Sequence, residues 1–251
     1  YFKRDFLMKI LLTNDDGIKA EGLLILKDVL SKDHDVYVIA PDRERSACSN
    51  IFTMRDKLTV QKLDSRTFSV NGFPADCVSL ALHYDIIPEV DLVISGINHG
   101  PNLGDDIHFS GTVAGARTAF IFGKPGIALS IDSFHRASPN MKEAAIFINN
   151  FLKLQSISEL TFLNINYPDI NKSEIKGVKY TFLSKRRYID SYTKHSENEK
   201  EMIVSLNGTI ETKTIENSDD DAIKKGYISI TPMTIDATDY KMLEKLENSL
   251  N

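Results

Sequence analysis

A strand, a helix and a second strand within about thirty residues form the pattern that most limits how this chain can fold. Ile10 to Thr13 is a short apolar run with β-branched members, stopped by turn formers. From Ala20 to Ser31 the residues AEGLLILKDVLS repeat apolar positions at helical spacing, and DVYVIAP (Asp35–Pro41) is again a strand. That length suits a crossover between parallel strands buried on both faces. The cycle recurs through PADCVSLALHY, VDLVISG, TVAGARTAFIFG, PGIALSI, MKEAAIFINNFLKLQ and LTFLNINYP. Alternation of this kind predicts an α/β fold, a doubly wound and mostly parallel sheet.

Beyond Pro168 the pattern changes. GVKYTFLSKRRYI and EMIVSLNGTIETKT alternate β-formers, and Asn207-Gly208 is a hairpin signal between two such runs. The expected organisation is one domain over 8–251. Its core covers about 8–174, and a C-terminal β-hairpin extension covers about 175–235, an oligomerisation arm. A final helix covers about 237–250. Residues 1–7 read as an N-terminal extension or tag remnant.

Lys and Arg number 30 against 35 Asp and Glu, a formal charge of −5. This balance argues against a broad nucleic-acid surface, which carries a basic patch or stripe. It leaves room for a small phosphorylated ligand. Cys48 and Cys77 make no disulfide framework and have no metal-binding spacing. No apolar stretch reaches the roughly 18 residues of a membrane span, and the N-terminus has no long h-region. The expected compartment is the cytoplasm.

In open parallel sheets, ligands bind beyond the carboxyl ends of the strands. There the sequence places Asn14, Asp15, Asp16 and Gly17, then Asp42, Arg43, Arg45, Ser46, Ser49 and Asn50, then the loop SGINHGPNLGDDIHFSGT. Every strongly polar loop lies on one rim. Adjacent carboxylates at Asp15 and Asp16 fit a turn or a helix cap. They equally fit a cation site, because two ionised neighbours are costly unless a cation or a shared proton relieves them. Carboxylate, hydroxyl and amide oxygens are hard donors, suited to Mg²⁺, Mn²⁺ or Ca²⁺. Ser110, Gly111 and Thr112 precede a helix whose N-terminus favours an anion, though Ser110 also suits a plain cap. Arg43 and Arg45 fit either phosphate contacts or solvated charges. His99 and His108 lie in the third loop, where a catalytic role competes with the plain solvation usual for loop histidines.

Together MKILLTNDDGI, VIAPDRERSACSN, SGINHGPNLGDDIHFSGTVAGA and GYISITP resemble the survival protein SurE family of metal-dependent nucleotidases. The resemblance implies a Rossmann-like core and hydrolysis of nucleoside 5′-monophosphates to nucleoside and phosphate. It extends to 3′-nucleotides and short polyphosphate in some members. It also implies one Mg²⁺ or Mn²⁺ per subunit, held by Asp15, Asp16, Ser46 and Asn98. Phosphate-side residues correspond to Asn102, Ser110, Gly111 and Thr112, with Arg43 as a further candidate. Asp15, Asp16, Asn102 and Ser110 form the expected catalytic set. The hairpins resemble the family's exchanged arms, which implies a homodimer or homotetramer.

One departure stands out. Many members carry a histidine soon after the ITP of the last block, and here Thr234 occupies that place. The expected chemistry is attack on phosphorus by a water oriented at the cation, with Asp15 as proton acceptor or, alternatively, as nucleophile. A nucleotide-binding regulator on the same fold would hold the ligand without consuming it. A dehydrogenase would need a dinucleotide fingerprint, which TNDDGIKAEG is not.

Overall fold

The computed structural model describes residues 7–133, 135, 138–154 and 161–249. Residues 1–6, most of the expected extension, lie outside them.

Strand β1 (Lys9–Thr13) pairs in parallel with β2 (Asp35–Pro41) on one side and β5 (Leu92–His99) on the other. Outward from β2 lie β4 (Thr67–Val70) and β3 (Val60–Lys62). Outward from β5 lie β6 (Gly126–Asp132), β7 (Phe162–Pro168), β11 (Ile228–Pro232) and β8 (Val178–Tyr180). The nine-stranded order is β3-β4-β2-β1-β5-β6-β7-β11-β8. Only the β3–β4 and β7–β11 pairs are antiparallel. After β1 the chain builds in one direction, then returns to add β5 on the opposite side. The crevice between β1 and β5 is therefore the topological switch point.

Side-chain alternation decides which helix covers which face. Ile10 and Leu12 join the core beneath α1 (Glu21–Leu30) and α4 (Met141–Leu154), whereas Leu11 faces α2 (Pro74–His83) and α3 (Gly111–Ile121). In α1 the buried residues Leu23, Leu26, Val29 and Leu30 supply the apolar stripe. Gly22 lets this helix sit directly on β5, since a Cβ there would lie 2.2 Å from the Ile97 carbonyl oxygen.

The C-terminal third departs from the sequence expectation in three places. Only β9 (Lys185–Glu197) and β10 (Met202–Lys213) leave the sheet as a two-stranded ribbon, while β8 and β11 belong to the main sheet. Asn207 and Gly208 are not the hairpin turn. They sit within β10, opposite Ser191 and Asp190. The turn lies at Asn198, whose side-chain oxygen accepts the Lys200 and Glu201 backbone N–H groups at 2.9 and 3.0 Å. A side chain that satisfies two turn donors competes well with an Asn-Gly pair whose neighbours all find cross-strand partners. A short helix, α5 (Asp219–Lys224), precedes β11, and the last helix, α6, runs from Tyr240 to Asn248.

The Gly22 packing is testable. Gly22→Ala forces side-chain volume against backbone and is expected to cost about 1–3 kcal/mol. Urea unfolding would show this as a lower midpoint, and an unchanged midpoint would contradict the close approach of α1 to β5.

Candidate functional site

At the end of β1 the chain leaves the sheet in a tight loop. Asn14 forms it: its Oδ1 accepts the Gly17 N–H at 3.2 Å and its Nδ2 donates to the Gly17 carbonyl at 3.0 Å. Gly17 takes φ +99°, a left-handed conformation that suits glycine. Asn14 therefore shapes the loop, and the two residues it frames are the aspartates.

Asp15 is 4% exposed and Asp16 has only 7% of its side chain exposed. Thr112 Oγ1 donates to Asp15 Oδ1 at 2.5 Å. The first turn of α3 lies against this carboxylate so closely that a Cβ on Gly111 would be 2.8 Å from Asp15 Oδ2. The second loop closes the other side, with the Arg45 N–H donating to the Asp15 carbonyl at 2.6 Å. Burial, with Asp16 beside it, pushes the Asp15 carboxyl from 3.8 up to about 6. Burial also raises Asp16, opposed by His99, whose Nδ1 lies 3.0 Å from Asp16 Oδ1. His99 ends β5, so this pair bridges the switch-point crevice.

Of the other expected cation ligands, Asn98 sits at the end of β5 and donates through Nδ2 to the Gly100 carbonyl at 2.7 Å. With the amide so assigned, its oxygen is left for another partner. Ser46 is exposed on the second loop and its hydroxyl donates to Glu44 Oε1 at 3.0 Å. Among the described residues no three His, Cys, Asp or Glu side chains gather as a metal cluster. Carboxylate, hydroxyl and amide oxygens are hard donors of another kind than such a cluster.

The expected phosphate-side residues divide into two groups. Ser110 caps α3, accepting the Val113 N–H at 3.0 Å. Gly111 and Thr112 form the first turn behind it and are committed to Asp15 as described. Asn102 lies apart in a buried polar cradle. Its Nδ2 donates to Ser130 Oγ at 2.8 Å and its backbone N–H to Asn166 Oδ1 at 2.8 Å. Its carbonyl accepts from Asn164 at 2.8 Å and Asn166 at 3.0 Å. The two β7 asparagines were missed by sequence reasoning. Their signal was present: two amides spaced by two in an otherwise apolar strand, LNINYP, share one face.

Arg43 is exposed at the rim. Arg45 is held down, with Nη2 at 3.2 Å from Asp42 and 2.9 Å from the Asn71 carbonyl, and its guanidinium 5.0 Å from the Phe73 ring centre. It is neither a free phosphate contact nor a solvated charge. His108 is exposed. Thr234 is exposed beyond β11, accepting the Asp236 N–H at 3.3 Å.

The family model described as survival protein SurE matches residues 10–190. A protein named 5′-nucleotidase SurE from Fervidobacterium nodosum is 43% identical, covering 96% of each chain. Another of that name from Leptospira interrogans is 38% identical over 97% of this chain and 98% of its own. The crystal structure of SurE protein from Aquifex aeolicus superposes with a TM-score of 0.82 at 35% identity, covering 97% of this chain and all of that one.

A raised carboxylate has a definite signature. The folded Asp15 carboxyl, near 6, binds a proton more tightly than the unfolded one, so it weighs against folding above about pH 6. That penalty disappears as pH falls through 6 toward 4. A divalent cation relieves the same penalty, so Mg²⁺ or Mn²⁺ is expected to raise Tm more at pH 7.5 than at pH 5. Asp15→Asn is expected to stabilise the cation-free protein by roughly 1–3 kcal/mol. Calorimetry at both pH values checks each, and a cation effect independent of pH would contradict the assignment.

Proposed function

The chain belongs to the survival protein SurE family, and we propose that it hydrolyses nucleoside 5′-monophosphates at the Asp15–Asp16 pair, which would hold one divalent cation per subunit. It is a 5′-nucleotidase, a phosphoric monoester hydrolase. The observation that carries the mechanism is the placement of two buried carboxylates at the switch point, one of them touching the first turn of α3.

The residues fit a hard cation. Buried like charges gain most from a positive ion, and Asp15, Asp16, Ser46 and Asn98 offer only oxygen donors, the set that Mg²⁺ and Mn²⁺ prefer. When bound, such an ion supplies Lewis-acid polarisation of the phosphoryl group and acidifies water. The protein supplies the rest. Thr112 fixes the orientation of the Asp15 carboxylate. Gly111 keeps the helix start close to it, so the positive end of the α3 dipole faces the phosphoryl oxygens. Asn102, immobilised by β6 and β7, holds the substrate's phosphate side, and Arg43 adds charge at the rim. Asp15, its carboxylate oriented by Thr112, accepts the proton released as water attacks phosphorus. The scissile P–O bond breaks, the 5′-oxygen takes up the proton that Asp15 received, and the nucleoside leaves as its 5′-alcohol beside free phosphate. The same constellation accommodates 3′-nucleotides and short polyphosphate, since it grips the phosphoryl group itself.

The assembly we propose is a homodimer or homotetramer joined through the β9–β10 ribbon. Cross-strand register puts Tyr188, Tyr192, Val204, Leu206 and Ile210 on one face, all exposed. A face this apolar suits a partner surface. Two unpaired, buried thiols, Cys48 and Cys77, support a cytoplasmic setting, and no helix among the described residues is long and apolar enough to cross a membrane.

Phosphate release from AMP with Mg²⁺ or Mn²⁺ tests the reaction. Asp16→Asn is expected to weaken cation binding and to lower kcat at least about a hundredfold with the fold retained. Near wild-type turnover in that variant, or full activity in chelator, would remove the cation site. Sedimentation of Tyr192→Asp and Leu206→Asp variants is expected to show smaller species than wild type, and unchanged assemblies would move the interface elsewhere.

A further inference from the structure

The face beside the phosphate end of α3 carries a large exposed ring. Phe109 directly precedes the capping Ser110 and is 58% exposed. Its backbone is not loose. Its N–H donates to the Asp106 carbonyl at 3.0 Å and its carbonyl accepts the Ser49 N–H at 2.8 Å. Ser49 Oγ also donates to the His108 carbonyl at 2.7 Å. Two residues further on, Ile51 is 45% exposed. The segment around it is fixed as well. Asn50 Nδ2 donates to Thr118 Oγ1 at 3.3 Å, Phe52 packs edge-on against Phe122, and Thr53 gives two 2.8 Å hydrogen bonds to Asp76.

An exposed phenyl ring costs hydration free energy, and a rigid backbone under it denies the ring any escape inward. Single exposed apolar side chains are ordinary on a surface. This one differs in position: it adjoins the helix start that receives a phosphoryl group, and a second exposed apolar side chain stands on the loop pinned to it. Ser49 and Asn50, the polar side chains between them, spend their hydrogen bonds on the protein. What remains exposed on these two segments is apolar, with little means of reading a base edge.

We propose that Phe109, with Ile51 on the adjoining loop, is the platform on which the substrate's nucleobase stacks. This rests on the nucleotidase reading above and deepens it. Stacking on an aromatic face tolerates any base, because every base has a π-face. Purine nucleotides, with the larger ring, gain most. The enzyme therefore accepts purine and pyrimidine monophosphates and favours purines through KM.

The test compares AMP with ribose 5-phosphate, which has the same phosphomonoester and no base. In Phe109→Ala, KM for AMP is expected to rise about tenfold, in line with alanine substitutions at stacking positions. The kcat for AMP and both constants for ribose 5-phosphate stay within about twofold. Phe109→Tyr restores the AMP value. Equal losses on both substrates, or no change on either, overturn the platform while leaving the nucleotidase reading intact. Wild-type protein that releases no phosphate from AMP overturns both.

Discussion

Burial of two adjacent carboxylates is the constraint around which the site is organised. Asp15 and Asp16 are consecutive, both nearly buried, and both have carboxyl groups driven upward by desolvation. A fold selected for stability alone would not place them there. The sheet explains how it can. The end of β1 lies at the switch point, where α3 enters from one side and β5 ends on the other. Thr112 and His99 reach the pair from those two elements, one to each carboxylate. Each neighbour reduces the cost of burying its carboxylate. The remaining negative potential is what a divalent cation would find.

The same geometry explains the small residues along the first turn of α3. Gly111 must come within contact of both Asp15 and Cys48, where a Cβ would lie 2.6 Å from the cysteine sulfur. Gly115, one turn later, faces Ser95 and Thr13, again with no room for a side chain. Close packing of the helix start on the strand ends brings the positive end of α3 against the aspartates. Sequence spacing fixes neither distance, yet the glycines mark where such an approach is possible.

What the sequence made legible was the regular part. Apolar runs of strand length alternating with helical stripes gave the parallel sheet, and the rule for its carboxyl ends gathered the polar loops before any coordinates. Local patterns were poorer guides where tertiary partners compete. Asn207-Gly208 has the composition of a hairpin turn, but its strand neighbours pair across the ribbon and Asn198 closes the turn instead. The acidic segment DDDAIK gave no apolar stripe and so concealed α5, a helix whose first residue is fully buried. Arg45 gave no sign of lying across Phe73, since cation–π contact depends on a residue 28 positions away. Asn164 and Asn166 required knowing that β6 and β7 are neighbours before their amides had an object.

The buried Asp219 shows how these irregular parts bear on the site. It is fully shielded from solvent and accepts the N–H groups of Gly104 at 2.8 Å and of Ser184 at 2.7 Å. Gly104 follows Asn102 by two residues, and Ser184 leads into β9. Nearby, Arg186 Nε lies 3.2 Å from Asp106, joining the foot of the ribbon to the same loop. Two hydrogen bonds onto one buried carboxyl group hold the loop, each worth about 0.5–1.5 kcal/mol net. The loop that carries Asn102 is thus clamped between the β7 amides on one side and the root of the ribbon on the other. The anion site proposed for Asn102 would need that rigidity, because a donor that must first be ordered spends part of its binding energy on the ordering. Displacement at the ribbon's foot would reach Asn102 through two residues of backbone, with Gly104 already so close to Ser184 that a Cβ would sit 2.6 Å from its carbonyl oxygen.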